Sequence, residues 1–310
     1  MIVSREESRL RASLRRGAEF SGFRSILRAG LSATLMFPTG TALSANDDDV
    51  AIKAPVPAIY LDLRTIYAQV PAGSLAFGFG HPTLFNALRT FDAAFPTSLP
   101  AAKSLNVDFP LTVDVTDSVS LYTGVSGNST EFGGAGWSSF QITSWNIGIQ
   151  ADVYQQNGGL FPTVTLQSTF TQSIPNGPLT TTSFNNILEF DYALDPDETR
   201  GLLAGFQYTR TDVADKLVKI NPNTIAYIGG YYQWPNNWKF TGRVGVQSFQ
   251  GAQLVSLASI QPYTQAIVRL DLDRMDDNDN RLFGVTAEIM WVPKPAYQLT
   301  VRTPLYAVRN

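Results

Sequence analysis

From about residue 109 onward the chain runs through segment after segment of roughly ten or more residues in which apolar and polar side chains alternate. Strict alternation marks an extended strand with two unlike faces, because successive side chains leave a strand on opposite sides. In Trp238-Lys239-Phe240-Thr241-Gly242-Arg243-Val244-Gly245-Val246-Gln247-Ser248, one face holds Trp238, Phe240, Val244 and Val246. The other holds Lys239, Thr241, Arg243 and Gln247. Ile147, Ile149, Ala151 and Val153 alternate in the same way with Gly148, Gln150 and Asp152, and Ala266, Val268, Leu270 and Leu272 with Arg269, Asp271 and Asp273. Two folds use such strands. A soluble sandwich buries the apolar faces between two sheets, whereas a membrane barrel turns them to lipid and encloses the polar faces. Sandwich strands average about five or six residues, and a tilted strand needs roughly ten to cross a bilayer. Length favours the barrel.

The spacing predicts strands at 59–69, 109–115, 118–126, 139–154, 161–174, 181–194, 200–212, 223–234, 237–249, 263–274, 281–292 and 297–307. That makes an all-β, antiparallel transmembrane barrel of about twelve strands. The connections alternate in kind. Thr116-Asp117, Gln156 to Gly159, Asp195-Pro196-Asp197-Glu198, Pro235-Asn236-Asn237 and Asp276 to Asp279 have the polar composition of compact turns. Between them lie longer links at 127–137, 173–178, 212–221 and 251–261. Short turns at one end and longer loops at the other are the outer-membrane arrangement. Pro304 sits awkwardly in the last strand, since it has no N–H to give a ladder.

The N-terminus is built differently. Seven arginines between Arg5 and Arg28 precede a short apolar stretch at 29–37, and the small residues Ala42, Ser44 and Ala45 follow. This is the order of a secretory signal peptide, expected over 1–45. Arg15-Arg16 invites a twin-arginine reading, but Gly17-Ala18-Glu19 suits it poorly and general secretion is preferred. Residues 46–58, with three consecutive aspartates and two prolines, read as a periplasmic lead-in, leaving 59–310 as the barrel. Without the leader the chain keeps 16 basic and 23 acidic residues, a net charge of −7, which argues against a nucleic-acid partner. The absence of cysteine removes disulfides, thiolate metal sites and thiol nucleophiles from consideration.

The run Trp145-Asn146-Ile147-Gly148-Ile149-Gln150-Ala151-Asp152-Val153-Tyr154, followed by Phe161-Pro162-Thr163-Val164-Thr165-Leu166 and Ile174-Pro175-Asn176-Gly177, resembles a family of outer-membrane barrels named for the MetA pathway of phenol degradation. The likeness covers about residues 110–292. It implies a Gram-negative outer-membrane barrel that passes hydrophobic or aromatic compounds. It carries over no catalytic residue and no cofactor.

Between the first strand and the second lies a segment of another character. Ala76-Phe77-Gly78-Phe79-Gly80-His81 is glycine-spaced and aromatic, and 82–95 places Leu84, Phe85, Leu88 and Phe91 at helical spacing behind Pro82. One short helix is therefore expected in a loop or as a plug, with Phe77, Phe79, His81, Phe85 and Phe91 available to an apolar ligand. His81 is the sole histidine. A serine hydrolase would require it, but no recognisable nucleophile motif adjoins it. A calcium loop opening at Asp277 fails, because Leu282 stands where that loop requires glycine and Arg281 where it requires a ligand. No metal site is expected.

By parity, Arg64, Lys239, Arg243, Arg269 and Arg302 face inward, with Asp62, Asp114, Asp152, Glu189, Asp191, Asp271, Asp273 and Glu288. Opposite signs on neighbouring strands favour ion-paired ladders. A sharper reading makes Lys239, Arg243 and Arg269 a basic stripe selecting anionic solutes. The function expected is passive passage of small, hydrophobic or aromatic molecules, without covalent chemistry. Expected partners are outer-membrane lipid, such a solute, and the barrel assembly machinery that would insert the chain. A structural or adhesive barrel, a lipid hydrolase using His81, and a soluble β protein are the alternatives.

Overall fold

Antiparallel pairing of the long alternating segments, each with its successor, generates the architecture, and the first and last strands then close the sheet on itself. In the computed structural model, residues 58–72, 101–116, 118–156, 159–174, 180–214, 219–253, 261–276, 281–291 and 295–308 are described. The barrel strands are β1 (Ala58–Val70), β2 (Ala102–Thr116), β3 (Val119–Phe132), β4 (Gln141–Tyr154), β5 (Thr163–Ser173), β6 (Thr181–Ala193) and β7 (Arg200–Val213). They continue as β9 (Asn223–Gln233), β10 (Trp238–Phe249), β12 (Tyr263–Met275), β13 (Arg281–Trp291) and β14 (Pro295–Val308). Twelve strands form one closed antiparallel ring, with β1 joined to both β2 and β14. Closure leaves no edge strand and satisfies the ladder in a medium without water.

Three expectations need correction. β2 starts at Ala102, not near Phe109, and β3 runs to Phe132, not to Ser126. The two strands pair as far as Ala102↔Phe132, so about half of the expected 127–137 loop is β2–β3 ladder, tied at its open end by Lys103 and Glu131, 3.0 Å apart. Within the longer links, β8 (Lys219–Ile220) and β11 (Ala252–Gln253) pair into a separate two-stranded sheet. Pro304 is accommodated by a register shift: Leu61 lies opposite Tyr306 while Asp62 lies opposite Pro304, so the bulge falls where the missing N–H would have left a gap. The expected helix at 82–95, with Phe77, Phe79, His81, Phe85 and Phe91, lies outside the described residues, as do 1–57.

The outer surface follows from parity. Ile147, Ile149, Leu166, Leu202, Phe206, Ile228, Val244, Val246, Leu270 and Leu299 are all exposed. Exposed aromatics gather near the ends of the strands. Tyr67, Trp145, Trp291 and Tyr297 lie toward the loop end, and Tyr154, Phe161, Tyr232, Trp234, Phe283 and Tyr306 toward the turn end. An apolar band between two aromatic girdles is the surface of a barrel that meets hydrocarbon at mid-height and headgroups at both rims. No helix among the described residues is long and apolar enough to cross a membrane, which says nothing of strands. The two expected turns that lie wholly within the described residues close as their composition predicts. Asn237 adopts φ 62° between Trp234 and Trp238, and Glu198 adopts φ 52° in the turn opened by Asp195.

Candidate functional site

The side chains of interest face the barrel axis, and register fixes which of them are neighbours. One cross-strand row reads Gly229, Arg243, Arg269, Glu288 and Gln298 on β9, β10, β12, β13 and β14. The next row toward the turn end reads Tyr231, Thr241, Asp271, Thr286 and Thr300. Asp271 is the hub. Its carboxylate accepts from Arg243 Nη1 at 2.9 Å, from Arg269 Nη2 at 2.7 Å and Nε at 3.0 Å, and from Thr286 Oγ1 at 2.6 Å. Arg243 also reaches beyond β9 and β7 to β6, where Glu189 Oε2 lies 3.6 Å from its Nε. Tyr227 donates its hydroxyl proton to the same Glu189 oxygen at 2.6 Å.

Room for that span comes from glycine. Gly229 and Gly245 flank Arg243 and Tyr227, and a Cβ on either would press on backbone carbonyls, at 2.2 Å and 2.6 Å. The Tyr227 ring lies flat over Gly205, where an added Cβ would fall 2.3 Å from Cζ. Tyr231 covers Gly201 in the same manner, and Lys239 Nζ sits 4.8 Å from the Tyr231 ring centre. Across the barrel Tyr122 covers Gly148, and its hydroxyl accepts from Gln167 Nε2 at 3.0 Å and pairs with Thr169 Oγ1. Parity places these tyrosines inward, yet the signal that would have found them is the pairing of an inward aromatic with a glycine on the adjoining strand. Such aromatic-on-glycine contacts also pin the register.

The sequence-predicted site residues separate into groups. Arg243, Arg269, Asp271 and Glu189 come together as one ion-paired cluster. Glu288 is buried directly opposite Arg269, and Lys239 is opposite Asp273, whose carboxylate also takes Arg281 at 2.8 Å. Arg302 belongs to a second group with Arg64 around Asp62, at 3.7 Å and 4.0 Å. Asp191 lies inward on β6 between Thr163 and Leu203. The expected basic stripe is thus interleaved with carboxylates: Arg243 and Arg269 are cross-strand neighbours, but Asp271 bridges them.

Two further interior surfaces escaped the sequence reading as units. From β4 to β7 the wall toward the loop end consists of hydroxyls and amides, among them Ser144, Thr171, Ser173, Ser183, Asn185 and Thr209. Opposite, an apolar row crosses Ile267, Met290 and Ala296 and continues through Val70 to Ala102, all inward and buried. Among the described residues, no cluster of three or more histidine or carboxylate side chains is arranged to hold a metal.

No protein-family model matches the chain, and no curated protein matches it by sequence. Solved structures match in overall form. An outer membrane channel from Pseudomonas putida F1 matches with TM-score 0.49 and 10% identity, over 84% of this chain and 100% of that one. The translocator domain of the autotransporter NalP from Neisseria meningitidis matches with TM-score 0.45 and 6% identity, over 81% and 90%. The toluene transporter TodX of Pseudomonas putida matches with TM-score 0.37 and 10% identity, over 80% and 89%. Each is a likeness of chain path, and the side chains described above belong to this chain.

Proposed function

We propose that this protein is an outer-membrane channel for the passive passage of small hydrophobic or aromatic molecules, delivered to its membrane by a signal peptide at 1–45. The observation that carries the reading is the closed twelve-stranded ring with exposed apolar residues outside and polar, ion-paired residues inside. A sheet so arranged turns an apolar outer surface to lipid and encloses an interior lined by hydrogen-bonding groups. Twelve strands enclose more than the roughly eight whose side chains alone fill a barrel. The apolar row from Ile267 to Ala102 supports a solute with an apolar body, because a purely hydrated pore gains nothing from five adjoining aliphatic side chains.

On this proposal Arg243, Arg269, Asp271, Glu189 and Glu288 set the charge along the path, with Lys239, Asp191 and Arg302 beside them. Reconstituted protein should give discrete conductance in planar bilayers and speed the entry of a small aromatic into liposomes. Neutralising Arg243 should shift the anion-to-cation preference. A structural barrel is the second reading, favoured by the low exposure of the inward side chains. Protein that is heat-modifiable on gels, yet gives neither conductance nor solute entry, would establish that reading instead.

A further inference from the structure

The lipid-facing surface of β5 and β6 contains a polar pair flanked along both strands by apolar pairs. Successive outward cross-strand pairs are Val164↔Phe190, Leu166↔Leu188, Ser168↔Asn186 and Phe170↔Phe184. Ser168 Oγ donates to Asn186 Oδ1 at 2.6 Å. That bond satisfies the serine proton and one lone pair of the amide. The two protons on Asn186 Nδ2 have no acceptor among the described residues. Placement matters here: Leu166 and Phe170 bracket Ser168, while Phe184 and Leu188 bracket Asn186, so the Phe170↔Phe184 pair stands between them and the polar outward pair Gln172↔Thr182 toward the loop end. Hydrocarbon offers an N–H no partner, and a polar side chain at that depth persists where another protein surface supplies one.

We infer that the outer face of β5 and β6 is where two copies of this chain meet in the membrane, with Asn186 on or beside the twofold axis. A carboxamide is its own complement: related by a twofold, each Nδ2 donates to the other Oδ1, and Ser168 keeps its bond. The surrounding leucine and phenylalanine pairs supply an apolar patch that contacts itself under the same operation. A partner of different sequence would need a matching donor and acceptor at one depth; a second copy has them by construction. The inference rests on the outer surface being lipid-facing, which heat-modifiable migration of each variant checks separately.

The chain has no cysteine, so single substitutions report without background. Leu166→Cys lies beside the pair, and Leu299→Cys lies on β14 at the opposite side of the ring with matching exposure, 43% against 46%. Oxidation in native membranes should convert Leu166→Cys to a disulfide dimer at least tenfold more than Leu299→Cys. Asn186→Leu should lower the dimer fraction in detergent by at least fivefold at equal protein concentration, and Asn186→Gln should retain most of it. Equal cross-linking of the two cysteine variants, or unchanged sedimentation of Asn186→Leu, would overturn the proposal and leave Asn186 as a polar residue facing lipid alone. If Leu166→Cys lost heat-modifiable migration, Leu188→Cys would take its place.

Discussion

Removing the charge of Asp271 tests whether the interior network holds the barrel together or only decorates it. Asp271→Asn keeps the shape but turns a shared carboxylate into an amide whose Nδ2 faces a guanidinium. Asp271 is 2% exposed, and Arg243 and Arg269 bind it at 2.9 Å and 2.7 Å. Deleting one partner of a buried pair costs about 3–5 kcal/mol, since the remaining charge stays buried without compensation. Two guanidiniums on directly paired positions are affected, which pushes the loss upward. Glu189, 3.6 Å from Arg243, takes up part of one of them, which pulls it back. The expected loss is therefore about 3 kcal/mol. Urea unfolding in lipid vesicles, followed by the fraction of heat-modifiable protein, would measure it. Arg243→Met in the Asp271→Asn background should recover about 1–2 kcal/mol, the coupling that contacting residues display. A loss under about 1 kcal/mol, or additivity of the two substitutions, would refute the argument and point to a network already screened by water.

Three other expectations use the same unfolding assay. Ile228→Arg places a charge on the most exposed apolar position of β9, 65% accessible, and should cost about 2–4 kcal/mol if that position faces the bilayer middle. Gly205→Ala would drive a methyl into the Tyr227 ring and detach Tyr227 from Glu189, at a cost of about 1–3 kcal/mol, and the Tyr227→Ala background should cancel part of the loss. In the turn between β6 and β7, burial works against the Asp195 carboxylate. The Thr199 hydroxyl at 2.5 Å and the Arg200 N–H at 3.2 Å overcome it and hold the group below its ordinary value. A depressed pKa means that the ionised turn stabilises the fold at neutral pH and that this contribution fades as acid protonates the group. Asp195→Asn should accordingly lower the unfolding midpoint at pH 7 and match the parent at strongly acidic pH.

Alternation with a period of two by itself determined that the chain makes long strands, about twelve of them, and which side chains share a face, because parity is a local property of extended backbone; that twelve of them close into one ring was decided by the pairing of β1 with β14. Trp238 to Ser248 states its two faces without help from any other strand. Local pattern gave out where the hairpin of β2 and β3 carries polar groups on both faces, with Lys103 and Glu131 outward and Ser104 and Thr130 inward. Only register could decide what meets what. That Asp271 lies between Arg243 and Arg269, that Arg243 spans three strands to Glu189, and that Tyr227 rests on Gly205 depend on the stagger of neighbouring strands. Stagger is set by all the strands closing at once, so no single segment can encode it. The apolar row from Ile267 to Ala102 is likewise scattered in sequence, from Val70 to Ala296, and becomes one surface only when β1 joins β14 and β2.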